Sequence, residues 1–94
     1  MQTQIVKGVA TKVFEDNGDT VVTYHGTEVV RFNQLLVFLN TGGWKTATTK
    51  LRMNQASNQF DLGFQVFQSK HEWYVQIKGR GKFSFSRDRI NFLR

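Results

Sequence analysis

Apolar and polar residues alternate along much of this chain. A period of two is the pattern of a strand with one buried face. The pattern is cleanest in the last third. Phe64 and Val66 flank Gln65, and Trp73, Val75 and Ile77 interleave with Tyr74, Gln76 and Lys78. Phe83 and Phe85 interleave with Lys82, Ser84 and Ser86, and Ile90 and Phe92 with Arg89 and Asn91. Turns are expected at Ser69-Lys70-His71, Gly79-Arg80-Gly81 and Arg87-Asp88. The first third reads as further hairpins. A strand is expected over residues 4–14 with a bulge at Gly8. Asn17-Gly18 follows, the dipeptide that best accepts positive φ at both central positions of a hairpin turn. Residues 20–25 return, His25-Gly26-Thr27 turns again, and residues 28–32 run as a third strand. After a weak turn at Asn33-Gln34, the run from Leu35 to Leu39 is uninterruptedly apolar and suits a strand buried on both faces.

The pattern changes between Asn40 and Asn54, a stretch reading NTGGWKTATTKLRMN. Thr41-Gly42-Gly43 breaks the strand. A helix is expected to begin between Thr46 and Thr49, where a Thr hydroxyl can cap free backbone N–H groups. It should end near Phe60 or Asp61, with Leu62-Gly63 as the stop. Thr49, Met53, Ala56 and Phe60 share a narrow face. Lys50, Asn54 and Asn58 form one polar ridge, and Arg52, Gln55 and Gln59 another. This predicts a helix lying across a sheet with much of its surface in water. The expected fold is α+β: a mostly antiparallel β meander of about 7–8 short strands, curling toward a half-barrel, with one helix near 47–61 packed on it. Residues 1–94 make a single domain, because a chain of 94 residues has material for one modest core.

Composition sharpens this. Nine Phe, two Trp and two Tyr supply a core unusually rich in aromatics. There is no Cys, which removes disulfides and Cys-based metal sites and fits a reducing compartment. No apolar run has the ~18 residues that a membrane span needs, and MQTQIVKG has no signal-peptide core. A soluble intracellular protein is the expectation. The net charge is +6, and it is one-sided. Residues 1–40 hold Lys7, Lys12 and Arg31 against Glu15, Asp16, Asp19 and Glu28; every excess cation lies beyond them. Such asymmetry suits a polyanionic partner, although a charged surface also serves solubility.

Several constellations could carry chemistry. Strand, glycines and Lys45-Thr46 before a helix invite a P-loop reading. That loop needs a Gly before its Lys and more length, and here Trp44 precedes Lys45. A milder reading keeps the helix N-terminus, with Lys45 and Lys50, as a place for a phosphate or carboxylate; the plain alternative is that Thr46, Thr48 and Thr49 only cap the helix. Trp44 is either a stacking platform or a core anchor, and the core is preferred. Lys78, Arg80 and Lys82 crowd one hairpin tip and Arg87 and Arg89 the next, near Tyr74, Phe83 and Phe85. Basic residues interleaved with aromatics suit stacking of single-stranded bases; the plain alternative puts Phe83 and Phe85 in the core and uses the cations to protect a strand edge. His25 and His71 fall in turns without a partner, and no carboxylate pair or metal cluster is evident, so no catalytic activity and no cofactor are expected.

The segment Gly43-Trp44-Lys45-Thr46-Ala47-Thr48-Thr49-Lys50-Leu51-Arg52-Met53-Asn54, with Trp73-Tyr74 further on, resembles a signature of small bacteriophage proteins: Gly-Trp-x-Thr-x-Thr-Thr-Lys-x-Arg-x-Asn. The likeness spans roughly Tyr24 to Ile77 and leaves out the first hairpin and the basic tail. It implies a phage gene product acting in the host cytoplasm, and it brings no activity with it. The helix wheel makes Lys50 and Asn54, which share a face that an apolar core does not need, and Arg52 on the neighbouring ridge the first candidates. The leading expectation is a non-enzymatic nucleic-acid-binding protein. Its phosphate contacts would be Lys45, Lys50, Arg52 and Asn54 at the helix and its N-terminus, and Lys78, Arg80, Lys82, Arg87 and Arg89 at the hairpin tips. The alternative is a modulator or inhibitor of a host enzyme (host takeover or counter-defence) that docks the same helix on an acidic protein surface. A virion role, through self-association of strand edges, is a third option.

Overall fold

The computed structural model of the protein describes residue 8 and residues 10–94. Four strands come first: β1 (Thr11–Asp16), β2 (Asp19–Tyr24), β3 (Thr27–Phe32) and β4 (Leu36–Asn40). The single helix of the described residues, α1 (Ala47–Phe60), follows, then β5 (Phe64–Ser69), β6 (Glu72–Ile77), β7 (Gly81–Ser84) and β8 (Arg89–Leu93). Every strand pairing is antiparallel, and the fold is α+β. The expected strand over residues 4–14 is shorter at its described start: Ala10 sits in a turn at positive φ, and Gly8 belongs to no strand. Residues 4–7 and 9, with Lys7, lie outside the described residues.

The strands do not form one meander. They make a five-stranded sheet, β1-β2-β3-β4-β8, and a separate three-stranded sheet, β5-β6-β7. Local hairpin turns set the order within each run. Asn17 and Gly18 both take positive φ, and so do His25 with Gly26 and Lys70 with His71, which matches the right-handed twist of the strands they join. The last strand leaves its neighbour β7 and returns to pair with β4, Leu39 against Ile90 and Val37 against Phe92. Period-two patterning identifies strands but carries no information on which edge a distant strand will choose.

The register places Val22, Val30, Leu39 and Ile90 in one row across the large sheet, with Phe32, Val37 and Phe92 in the next. These rows face the helix and the small sheet's Phe64, Val66, Trp73, Val75 and Ile77, forming one core. The run from Leu35 to Leu39 is therefore not buried on both faces. Val37 and Leu39 are buried, Leu36 and Phe38 half-buried, and Leu35 is 72% exposed, because the second face of this sheet looks outward. Phe83 likewise departs from expectation. It lies on the edge strand β7 and is 43% exposed, while Phe85 is buried edge-on against Trp73.

Helix α1 starts where its chemistry dictates. The Thr46 hydroxyl accepts from the Thr49 backbone N–H at 3.2 Å, a cap that stabilises a helix by about 1 kcal/mol. The helix ends with Asp61 in the left-handed region, its N–H donating to the Ser57 carbonyl. Thr49, Met53 and Ala56 are fully buried as expected, and Phe60 packs against Phe32 with ring centroids 4.9 Å apart. The broad wet surface expected for this helix is absent. Arg52, Asn54, Gln55 and Ser57 are all buried, because the helix has sheet on two sides. The open edge of β5 explains two of them, Asn54 and Ser57. Asn54 Nδ2 donates to the Val66 carbonyl (3.0 Å) while its Oδ1 accepts from the Val66 N–H (2.7 Å). Ser57 Oγ does the same for both backbone groups of Phe64, at 2.7 and 3.0 Å. Two side chains thus replace the neighbouring strand that β5 lacks, and its buried backbone groups are paired.

Candidate nucleic-acid interface

The charge asymmetry of the sequence becomes a spatial one. On the outer face of the large sheet, Arg31 is enclosed by carboxylates of Asp16, Asp19 and Glu28, each 2.9 Å from a guanidinium nitrogen. These partners, Glu28 foremost, hold Arg31 firmly charged. In return, the hydrogen bond from Arg31, and after it one from Asn33, keeps the Asp19 carboxyl below its ordinary range. One cation among three anions leaves this end of the molecule negative. The cations of the C-terminal strands stand otherwise. Lys78, Arg80, Lys82, Arg87 and Arg89 are exposed, and none pairs with a carboxylate among the described residues.

The nine expected contact residues do not form one patch. Two are turned inward. Asn54 is committed to the Val66 backbone, and Arg52 is buried, its Nε donating to Thr11 Oγ1 (2.8 Å) and its Nη1 to Gln55 Oε1 (3.2 Å). The Arg52 guanidinium also lies so close under Gly8 that a Cβ there would overlap it, and it sits 6.0 Å from the Tyr24 ring centroid. Burial and these partners make Arg52 and Asn54 parts of the frame, and the expectation that they face a ligand is corrected here. Lys45 is exposed beside the helix N-terminus. It reaches Asp88 at 3.8 Å, and Asp88 also accepts from the Thr41 hydroxyl at 2.7 Å. That contact draws the Arg87–Arg89 turn against the Gly42-Gly43 loop, so Lys45, Arg87 and Arg89 share one end of the helix. Lys78 and Arg80 belong to the other end. The Lys78 N–H donates to the Gly63 carbonyl at 2.9 Å, just past the helix stop.

Between those ends lies the outer face of the small sheet. The register sets Phe67 opposite Tyr74 and Gln65 opposite Gln76, with Lys82 and Ser84 across from Gln76 and Tyr74 on β7. The Phe67 and Tyr74 rings stack at 5.6 Å with 24° between planes, and Lys82 Nζ lies 4.8 Å from the Tyr74 centroid. Phe67, Tyr74 and Lys82 form a ladder over three strands, in which the cation meets a ring face it is attracted to. Sequence reading named Tyr74 and Lys82 but passed over Phe67. The signal was its phase: Phe67 alternates with Val66 and shares the polar phase of Gln65.

Beside the ladder, a groove runs between β5 and α1, lined by Lys50 and Leu51 on one side and Gln65, Phe67 and Gln68 on the other. Lys50 Nζ donates to Gln68 Oε1 at 3.2 Å and stands 5.6 Å from the centroid of the buried Trp73 ring. Trp44, expected in the core, is 44% exposed and stacks on His25 at 5.3 Å, because the Gly42-Gly43 turn carries it past the edge of the sheet. Among the described residues, no three His, Cys, Asp or Glu side chains converge on a metal position, and no helix is long and apolar enough to cross a membrane.

The chain belongs to the Kyanoviridae Gp96 protein family, whose sequence model matches residues 2–92. It is therefore a phage protein, as the helix signature suggested, and the match takes in the first hairpin and basic tail that the shorter resemblance left out. The family description states no activity. No curated protein and no solved structure matches the chain.

Proposed function

We propose that this phage protein binds nucleic acid in the host cytoplasm and catalyses no reaction. The observation that carries the reading is the Phe67–Tyr74–Lys82 ladder on an open sheet face, beside exposed cations that no carboxylate neutralises. Phosphates meet Lys78 and Arg80 at one end, Lys45, Arg87 and Arg89 at the other, and Lys82 between them, and affinity comes largely from released counterions. The acidic cluster around Arg31 repels the same polyanion, so the molecule presents its small sheet to it. Arg52 and Asn54 hold the helix and β5 in place behind this surface. The helix itself therefore contributes Lys50 alone to the contact, with Lys45 just before its cap.

The test is fluorescence anisotropy with labelled single- and double-stranded oligonucleotides at low salt. Binding is expected, and Arg80→Ala combined with Lys82→Ala weakens it. Absence of binding even at low salt would exclude this function. One feature favours a protein partner instead. Leu35 and Leu93 are 72% and 64% exposed at the same end of the large sheet, where the Arg94 N–H donates to the Leu35 carbonyl. An apolar pair there suits a host protein, and Leu35→Asp would remove that association while sparing nucleic-acid binding.

A further inference from the structure

We infer that the groove between α1 and β5 receives one unpaired nucleobase of a single strand, held between Leu51 and Phe67. This rests on the nucleic-acid reading above and adds which form of the ligand is preferred and which residues select it. The recess is about 410 Å³ in volume, within the range of small-ligand sites. Its helical side is one stripe of α1 on which Lys50, Leu51 and Asn54 follow at the spacing of neighbours on a helix face. Its other side is β5 from Gln65 to Gln68.

Four features select a base over other occupants. The walls are apolar, Leu51 facing an aromatic ring that Tyr74 already braces from its far side. The floor is sealed, because Asn54 satisfies both backbone groups of Val66 and leaves no polar atom there seeking water. The rim offers amides. Gln65 is exposed, and Gln68 spends its oxygen on Lys50 and keeps its NH₂. A side-chain amide presents a donor and an acceptor, the pairing that base edges carry. The mouth holds one cation and no carboxylate, since Lys50 forms no ion pair among the described residues. A base in the groove leaves its phosphate beside Lys50. A paired base must give up its pair and its stack to enter, so the groove favours single strands over duplex.

The experiment compares a single-stranded oligodeoxynucleotide with its counterpart carrying abasic sites throughout, which keeps the phosphates and removes the bases. The wild-type protein is expected to bind the base-bearing strand about ten-fold more tightly, as one stacked base provides. Leu51→Ala and Phe67→Ala should each bring the two strands to equal affinity, whereas Lys82→Ala lowers both. The comparison is internal to each protein, and Leu51→Ala keeps a good helix former should Phe67→Ala fold poorly. A wild-type protein that binds both strands equally overturns the groove and leaves phosphate binding standing. A Leu51→Ala variant that keeps the wild-type preference also overturns it. Binding to neither strand overturns the groove together with the reading on which it rests.

Discussion

Asn54 and Lys50 sit one helical turn apart and differ in everything that decides their energetics. The Asn54 amide is buried and pairs with two backbone groups, so truncation strands a donor and an acceptor in the interior. Asn54→Ala is expected to cost about 2–4 kcal/mol, while Lys50→Ala stays within about 0.5 kcal/mol; thermal or urea denaturation of the two variants measures this. Equal stability of the pair would contradict the role given to Asn54. Asp19 makes a second prediction at this scale. Its carboxyl is held below its ordinary range by Arg31 and Asn33. A carboxyl of lowered folded pKa stabilises the fold above its unfolded value and loses that contribution as pH falls toward the folded one. The protein should therefore weaken on acidification below about pH 4, and Asp19→Asn should flatten that acid limb. An unchanged acid limb in the variant would remove Asp19 from the account.

At the scale of elements, the helix is the piece that sequence periodicity located and misjudged. Its limits were legible because Thr46 is a cap and Gly63 follows the stop, and its inward row Thr49-Met53-Ala56 was legible from spacing. Its polar row was misread because polar side chains usually seek water, whereas here they meet a strand edge. Nothing in a single-chain pattern announces that β5 will lack a neighbour on the helix side. The same blindness hid the return of β8 to β4, since pairing is a property of two strands and periodicity of one. Gly42-Gly43 marked a break but could not say that Trp44 would be carried outward. In Ser57→Ala the Phe64 amide loses its acceptor, so its hydrogen exchange should accelerate while the amides of β5 paired to β6 keep their protection. Uniform acceleration along β5 would mean that the whole strand has loosened, and unchanged exchange that Ser57 does not guard it.

For the molecule as a whole, the division of charge is the central fact. The large sheet carries an acidic knot about Arg31, and the small sheet and its tips carry cations without anionic partners among the described residues. The sequence showed this division by its halves, and the fold keeps it in part: Lys78, Arg80 and Lys82 stand on the small sheet, whereas Arg89 lies on β8 and lines the same outer recess of the large sheet as Glu28 and Arg31. The sequence could not show that the nine candidate residues would separate into a buried pair, two groups at the ends of the helix, and Lys50 and Lys82 between them. The claim that follows is that the face bearing Lys78, Arg80 and Lys82 binds the phosphates of a nucleic acid. The salt dependence of single-strand binding tests it most directly. If the seven cations each neutralise one phosphate, the logarithm of affinity should fall against the logarithm of salt with a slope of about −4.9. Replacing Lys78, Arg80 and Lys82 together by Ala should bring that slope to about −2.8, since each lost phosphate contact removes about 0.7. A wild-type slope near zero, or one that the triple replacement leaves unchanged, would contradict the assignment of this face.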